Sequence, residues 1–284
     1  MRIGLSTPMV MQLPGVSGEW ERNAGVADLA RIAHTADELG FDHLTCAEHI
    51  AVPVDESGRR GLTYWDPLST LGFLAAHTSR ISLTTSVVVL GYHHPLEIAK
   101  RFGTLDRLSD GRLVLGVGVG SLAEEFELLG ADFDGRGERA DDAIRALRAS
   151  LSTTRPVYHG SHYRYDGWAV EPCAVQPKVP IWVGGHTLRS LRRAARLADG
   201  WIPFGLTATE IKAMLSGIDT PPGFEVVLST GHSIDPLADA DRTSLRLSAL
   251  HDAGATAITC SVTAESVDHY CEQLAALREL ATEL

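Results

Sequence analysis

The sequence is poor in cysteine and in basic residues, and each shortage argues against a class of protein. Its four cysteines show neither CxxC spacing nor the pattern of a metal site, so we expect free thiols in a reducing compartment. Lysine and arginine number 25 against 36 acidic residues, which gives a net charge of −11. Because nucleic acids and anionic membranes attract positive charge, we expect neither of them as the main partner.

Several motifs of targeting and catalysis are also missing. No apolar run approaches the length of a bilayer span, and the first residues, MRIGLST, resemble a strand rather than a secretory leader. We therefore expect a cytoplasmic protein. The chain has no Gly-x-Ser-x-Gly nucleophile elbow and no P-loop lysine.

Short β-branched runs alternate with amphipathic helical stretches along almost the whole chain. The predicted strands are Arg2–Thr7, Asp42–Ala47, Ile81–Leu90, Arg112–Gly118, Pro180–Gly184, Gly200–Phe204, Glu225–Thr230 and Ala255–Val262. A helix is predicted after each strand, and glycines typical of helix ends precede several strands.

Eight β–α units in strict alternation predict a parallel sheet, because each helix returns the chain to the same end. Eight such strands can close, so we predict an α/β fold, a (β/α)₈ TIM barrel, as one domain over residues 1–284. A doubly wound open sheet is the alternative. The segment at about 153–178 contains alternating aromatics and a central Gly-Ser, which predict a short hairpin-like insertion between the fourth helix and the fifth strand.

In such a barrel the active site lies at the carboxyl ends of the strands. Polar and glycine-rich residues are concentrated at these positions, which is typical of a binding site. The candidates are Ser6, Thr7, Glu48, His49, Thr85, Ser86, Gly118, Gly120, Ser121, Gly184, Gly185, His186 and Thr187.

The sharpest local signal is the turn from Gly184 to Thr187, between a strand and a helix. Free N–H groups of the first helical turn and the helix dipole predict a phosphate site. We expect Gly185→Val to weaken binding at this site while leaving the fold intact. Arg189, Arg192 and Arg193 follow on the helix. The alternative to a phosphate site is a tight turn followed by a solvated basic face.

Other motifs carry weaker signals. The run GVGVGS (116–121) does not match a dinucleotide fingerprint, because the position of the last glycine in that pattern is occupied by Ser121. Its glycines would instead let a flat ring lie against the backbone. The alternative is that they simply permit a loop. Glu48 and His49 form a short acid–imidazole pair, for which a structural histidine is the alternative. His93 and His94 are adjacent, which disfavours joint ligation of a metal.

Two acidic groups, Glu124-Glu125-Glu127 and Asp141-Asp142, are interpreted as solvated surface. No metal ligand is predicted anywhere in the sequence.

Taken together, these segments resemble the luciferase-like monooxygenase superfamily and, within it, the deazaflavin-dependent (coenzyme F-420) oxidoreductases. The resemblance rests on MRIGLST, FDHLTCAEHI, TTSVVVLGYHHPLEIAKRFGTLDRLSDGRLVLGVGVG, the EEFELLG stretch and IWVGGHTLRSLRRAARLADGW. It covers nearly the whole chain.

The resemblance implies roles for individual residues. The phosphate of the cofactor would lie at Gly184–Thr187, and Arg189, Arg192 and Arg193 could meet an acidic tail of the cofactor. Glu48 and His49 would contact the ring region as the catalytic residues, with His49 assisting hydride or proton transfer. Gly118 and Gly120 would line the pocket. The third strand would carry a bulge with a non-prolyl cis peptide behind the ring, between Ser86 and Val87.

The chain departs from some deazaflavin dehydrogenases in having Ser121 where they have a catalytic glutamate, and AVPVDES where several have a tryptophan. The resemblance implies a homodimer that transfers hydride between reduced F-420 and a small organic substrate. An FMN-dependent monooxygenase is the alternative. Remoter ones are a flavin-binding protein without activity and a metal-dependent hydrolase, whose ligands would be His49, His93, His186 or His232.

Overall fold

The structure is a computed structural model that describes residues 1–282, in which eight parallel strands alternate with eight helices. The strands are β1 (Arg2–Ser6), β2 (His43–Cys46), β3 (Ser82–Thr85), β4 (Leu113–Gly118), β5 (Ile181–Gly184), β6 (Gly200–Ile202), β7 (Glu225–Ser229) and β8 (Ala257–Cys260). The helices are α1 (Val26–Glu38), α2 (Pro67–Ala76), α3 (Pro95–Leu108), α4 (Arg136–Ser150), α5 (Leu188–Leu197), α6 (Ala208–Ser216), α7 (Ala240–Asp252) and α8 (Val267–Thr282).

The sheet closes on itself, with each strand parallel to its neighbours. The pairs run in chain order from β1 to β8, and β8 pairs with β1 in a register that sets Arg2 opposite Ala257. This closure confirms the predicted (β/α)₈ barrel and excludes the open sheet. That the whole chain forms one domain stays a prediction.

Side chains alternate between the two faces of the barrel wall, as the pleat of a strand requires. Ile3 and Leu5 are fully buried in the main apolar cluster, whereas His43 is buried beside Trp182 in an edge-to-face contact. His43 Nδ1 lies 2.8 Å from Asp42, and its Nε2 lies 2.8 Å from the hydroxyl of Thr259. The histidine ring thus links strands inside the barrel.

The third strand is shorter than predicted. The sequence predicts a continuous strand from Ile81 to Leu90, but β3 ends at Thr85, and the next two residues are joined by a cis peptide bond, Ser86–Val87. The chain then forms a two-residue strand, Val88–Val89, which pairs with the end of β4. The predicted bulge and its non-prolyl cis bond are confirmed.

Between α4 and β5 the chain forms an antiparallel pair of short strands, Tyr158–His159 and Arg164–Tyr165. Asp142 on α4 accepts hydrogen bonds from the Tyr158 hydroxyl at 2.5 Å, the His162 N–H at 2.7 Å and the Tyr163 N–H at 3.0 Å. The hairpin is therefore attached to α4 through one carboxylate.

The prediction that Asp141 and Asp142 are solvated surface is wrong. Asp142 is 2 % exposed, and Asp141 pairs with Arg193 and Arg196 of α5. The acidic pair faces two different neighbours, because consecutive residues of a helix point about 100° apart.

All four cysteines are free, as expected, and two of them, Cys46 and Cys260, are buried in the apolar core. Burial raises the pKa of the Cys46 thiol to about 12, so this thiol stays protonated and behaves as a small apolar residue. Over residues 1–282, no helix is both long enough and apolar enough to cross a bilayer.

One buried carboxylate joins α1 to the start of β3. Asp37 is 2 % exposed and accepts hydrogen bonds from the backbone N–H groups of Ser79, Arg80 and Ile81 at 2.9, 2.8 and 2.6 Å. Burial by itself would raise the pKa of Asp37, but these hydrogen bonds together hold it below its ordinary value.

We predict that Asp37→Ala lowers the free energy of unfolding by about 2–4 kcal/mol at neutral pH, because three N–H groups lose their acceptor. Since the pKa of Asp37 is lowered in the folded state, its contribution is present above the unfolded value of about 3.9 and is lost as the pH falls through the folded value. The difference between wild type and variant in urea unfolding should therefore shrink below about pH 4. Glu38→Ala, at the exposed neighbouring position, is the control and should change stability by less than about 0.5 kcal/mol. Equal effects of the two substitutions would contradict this account.

Candidate active site at the carboxyl ends of the strands

A buried carboxylate organises the loops that follow β2, β3 and β4. Glu125 lies on a short helix after β4, Ala123–Leu128, and its Oε2 is 2.7 Å from His49 Nδ1. The same oxygen accepts a hydrogen bond from the Tyr92 hydroxyl at 2.8 Å. Its Oε1 accepts from the N–H groups of Ile50 at 2.6 Å and Ala51 at 3.1 Å. His49 is therefore held by a residue 76 positions further along the chain.

The interpretation of Glu124-Glu125-Glu127 as solvated surface is wrong for its middle member. Glu125 is 1 % exposed, while Glu124 and Glu127 lie at the surface. The next residue of the short helix, Phe126, is buried as well and packs beside Tyr92. Burial alone would raise the pKa of Glu125, but hydrogen bonds from His49, Ala51 and Tyr92 hold it below its ordinary value.

Glu48 does not pair with its sequence neighbour His49, contrary to the acid–imidazole pair predicted from the sequence. Its Oε1 lies 2.8 Å from His93 Nε2, and its Oε2 accepts a hydrogen bond from the Val89 N–H at 2.7 Å. Adjacent residues of an extended segment point to opposite sides, so each of the two finds a different partner. Burial alone would lower the pKa of His93, but the hydrogen bond with Glu48 raises it.

The space beside the glycines of β4 and β5 is filled by protein atoms. A Cβ at Gly118 would lie 2.6 Å from a methyl group of Val87, and one at Gly184 would lie 3.0 Å from another. A Cβ at Gly120 would lie 2.4 Å from the Phe126 ring. The sequence predicted that Gly118 and Gly120 make room for a flat ring and that Gly184 lets the backbone approach an anion, and both stay predictions. The positions of the added Cβ atoms show that these glycines also accommodate the bulge after β3 and the short helix that carries Glu125.

At the start of α5 some N–H groups are satisfied and others are free. Thr187 is the N-cap, and its hydroxyl accepts from the Ser190 N–H at 3.2 Å, while the Thr187 N–H donates to the Ser190 hydroxyl, also at 3.2 Å. The N–H groups of Leu188 and Arg189 belong to the first turn, where no intrahelical acceptor exists. This end of the helix can therefore receive an anion.

The basic residues after this turn separate into two sets. Arg189 and Arg192 are exposed, whereas Arg193 is bound to Asp141 and to the Gly137 carbonyl. The expectation that all three arginines could meet an acidic ligand is therefore wrong for Arg193.

A comparison with known protein families identifies the family to which the chain belongs. The model of the luciferase-like monooxygenase family matches residues 1–239. The chain belongs to this family. Its members are oxidoreductases, and the match confirms the resemblance inferred from the sequence.

The relatives include an uncharacterized protein and an F420-dependent dehydrogenase. An uncharacterized protein of Mycobacterium tuberculosis (strain H37Rv) is 31 % identical over 199 residues, which are 66 % of this chain and 68 % of that protein. An F420-dependent glucose-6-phosphate dehydrogenase of Nakamurella multipartita is 31 % identical over 204 residues, which are 69 % of this chain and 59 % of that enzyme.

Solved structures share the fold along the whole chain. Monooxygenase RslO1 of Streptomyces bottropensis superposes with a TM-score of 0.76 at 21 % identity, over 100 % of this chain and 99 % of that one. An F420-dependent secondary alcohol dehydrogenase in complex with an F420–acetone adduct gives 0.73 at 15 % identity, over 98 % of this chain and 97 % of that one. At these identities the likeness shows the fold alone.

The structure places every predicted site residue of this family member at the same end of the barrel, but their side chains differ in availability. Ser6, Ser86, Val87, His49 and Gly185 are half-buried, and Ser121, His186 and Thr187 are exposed. The hydroxyl of Thr85 is not available to a ligand, because it is buried and donates to the Gly116 carbonyl at 2.7 Å.

Two residues that sequence reasoning missed belong to this site. Glu125 and Tyr92 complete the support of His49, and the only signal for Glu125 was its position beside Phe126 in the EEFELLG stretch. In residues 1–282 no group of three or more histidine, cysteine, aspartate and glutamate side chains is arranged to hold a metal ion.

The geometry at Gly185 changes one of the sequence-based expectations. Its φ is +134°, and a Cβ there would lie 2.7 Å from Ser190 Cβ. Gly185→Val would therefore disturb the cap of α5 itself, so a change in cofactor binding could not be separated from a change in the helix start.

Proposed function

We propose that the chain transfers hydride between reduced coenzyme F-420 and a small organic substrate. The observation that carries the proposal is the common location of two features at one end of the barrel. One is the free anion-binding start of α5, and the other is His49, fixed by Glu125 beside the bulge at Ser86–Val87. The names of the relatives at 31 % identity support the deazaflavin branch.

The residues present fit a phosphorylated flavin-like cofactor. Gly184, Gly185, His186 and Thr187 form the turn over which the N–H groups of Leu188 and Arg189 would bind the phosphate. The exposed Arg189 and Arg192 would bind further acidic groups of the cofactor.

The ring would lie over Ser86 and Val87, near the β4 loop with Gly118, Gly120 and Ser121. We assign Ser6 and Glu48 to the same wall of the proposed pocket. Glu48 belongs to this wall because its contacts with His93 and Val89 support the bulge. Thr7 follows β1, and its buried hydroxyl has no hydrogen-bond partner in residues 1–282. A polar ligand at this end would satisfy it.

A deazaflavin supplies hydride in two-electron steps and reacts poorly with oxygen. Hydride transfer to a neutral substrate creates a negative charge, which a proton must neutralise. We assign that proton to Nε2 of His49: in the reducing direction the imidazolium gives it and becomes the neutral ring, and in the oxidising direction the neutral ring takes it up. Glu48 and Glu125 position the loops and do not themselves carry the proton.

An FMN-dependent monooxygenase is the second candidate. A Type II Baeyer–Villiger monooxygenase component of Pseudomonas putida in complex with FMN has the same fold, with a TM-score of 0.73 at 16 % identity. The phosphate site at α5 would serve FMN as well as F-420. Ser121 also stands where some deazaflavin dehydrogenases have a glutamate.

The cytoplasmic location and the homodimer stay predictions.

Titration of the apo-protein with F-420 and with FMN, followed by oxygen uptake with each reduced cofactor, distinguishes these candidates. We predict the tighter binding for F-420 and no substrate-stimulated oxygen consumption, because the deazaflavin ring reacts poorly with oxygen. Tight FMN binding with oxygen uptake that depends on added substrate would instead make the chain a monooxygenase.

The proposed phosphate site can be tested by removing one backbone N–H group without placing a new side chain against the anion. Leu188 is the first helical residue of α5, and its predecessor Thr187 has φ −112° and ψ 156°, which suit a residue before proline. We predict that Leu188→Pro keeps the helix and weakens cofactor binding about 10- to 100-fold, the loss of one hydrogen bond to a charged group. Isothermal titration gives the affinity.

Two controls accompany Leu188→Pro. Ala208→Pro makes the same change at the first residue of α6, after the N-cap Thr207 with φ −78° and ψ 157°, and should leave affinity unchanged. Leu188→Ala removes the side chain but keeps the N–H. A normal affinity of Leu188→Pro would place the phosphate elsewhere.

We predict that His49→Ala lowers turnover by about 10²–10⁴-fold with cofactor affinity retained, as expected for loss of an acid–base group. Single-turnover oxidation of the reduced cofactor by a panel of small carbonyl and alkene acceptors measures the rate. His34→Ala, an exposed histidine on α1, is the control. A loss limited to cofactor affinity would make His49 a binding residue.

A further inference from the structure

The hydrogen bonds of Glu125 hold the loop after β2 in place, and they also constrain the imidazole ring of His49. We infer that Glu125 is a positioning residue that fixes the proton of the neutral His49 ring on Nδ1 and leaves Nε2 free for the reacting centre. The use of Nε2 in the reaction rests on the proposed function; the tautomer does not.

The proton position follows from what each group can donate. Glu125 Oε2 lies 2.7 Å from His49 Nδ1, and an ionised carboxylate only accepts hydrogen bonds. The nitrogen must therefore carry the hydrogen. Four donors surround this carboxylate, from His49, Tyr92, Ile50 and Ala51, and they keep it ionised despite its burial.

The other side of the ring is available. His49 Nε2 has no hydrogen-bond partner among residues 1–282, and the side chain is 17 % exposed, while that of Glu125 has no exposure. The Tyr64 ring contacts the imidazole edge-to-face, with 4.6 Å between centroids. The carboxylate and the tyrosine thus restrict the ring to one orientation with Nε2 as its unpaired nitrogen.

The substitution Glu125→Gln tests this arrangement because its amide can have only one orientation. The oxygen at the Oε1 position accepts from two backbone N–H groups, those of Ile50 and Ala51, so a glutamine must keep its oxygen there. Its NH₂ group then takes the place of Oε2 and donates to His49 Nδ1. The neutral ring must accept at Nδ1 and move its proton to Nε2.

The measurement is the ¹⁵N spectrum of ring-labelled histidine, at a pH where the ring is neutral, with His49→Ala to assign the signals. In the apo wild type we expect the Nδ1–H tautomer, and in Glu125→Gln the Nε2–H tautomer. Glu124→Gln, the exposed neighbour on the same short helix, is the matched control and should keep the wild-type spectrum. A wild type with the proton on Nε2 would overturn the inference, whether or not the variant folds.

A second variant separates positioning from packing. Tyr92→Phe removes the other donor to Oε2 and keeps the ring that packs on Phe126. We expect it to retain the Nδ1–H tautomer; a change of tautomer here would show that Glu125 does not determine the proton position.

Turnover supplies the functional readout. With the tautomer reversed, Glu125→Gln should lower kcat by about 10²–10⁴-fold with little change in KM, as for other histidines held in the wrong tautomer by an amide. A reversed tautomer with normal turnover would support the positioning by Glu125 but contradict the acid–base role of His49. The two failures are therefore distinguishable.

Discussion

The hydrogen bonds of the Glu125 carboxylate are the interaction on which the candidate site depends. A buried charge is stable only when its lone pairs are satisfied, and here the donors come from the loops after β2 and β3 while the carboxylate comes from the loop after β4. Three loops that are far apart in the chain must therefore meet at one point. The position of His49 follows from that requirement.

Other buried carboxylates join elements in the same way. Glu48 links the loop after β2 to the bulge after β3, Asp37 links α1 to β3, and Asp142 links α4 to the hairpin. The acidic excess of the sequence is thus partly internal. The net charge still disfavours nucleic acids and anionic membranes as partners, but it does not show which acidic side chains face water.

The glycines near the carboxyl ends have a role that their positions alone did not reveal. Gly118 and Gly184 leave the volume into which Val87 fits, and Gly120 leaves room for Phe126. Close packing of the bulge and of the short helix against β4 explains these glycines, since a Cβ would collide with a neighbouring side chain at Gly118 and Gly120 and would make a tight contact at Gly184. The wall behind the proposed ring is therefore built from tightly packed protein.

The barrel, the order of its elements and the end at which the site lies could be predicted from the sequence, because hydrophobic periodicity and strict β–α alternation can be recognised along the chain. It also placed His49 and the start of α5 at that end, and its resemblance to a family indicated the bulge at Ser86–Val87. The partners of the buried charged groups became known from the folded arrangement: Glu125 for His49, His93 for Glu48 and Asp141 for Arg193. These pairs are 76, 45 and 52 residues apart in the chain. Such contacts depend on how whole elements pack, and the only local difference between the buried Glu125 and the exposed Glu124 is that Glu125 precedes Phe126.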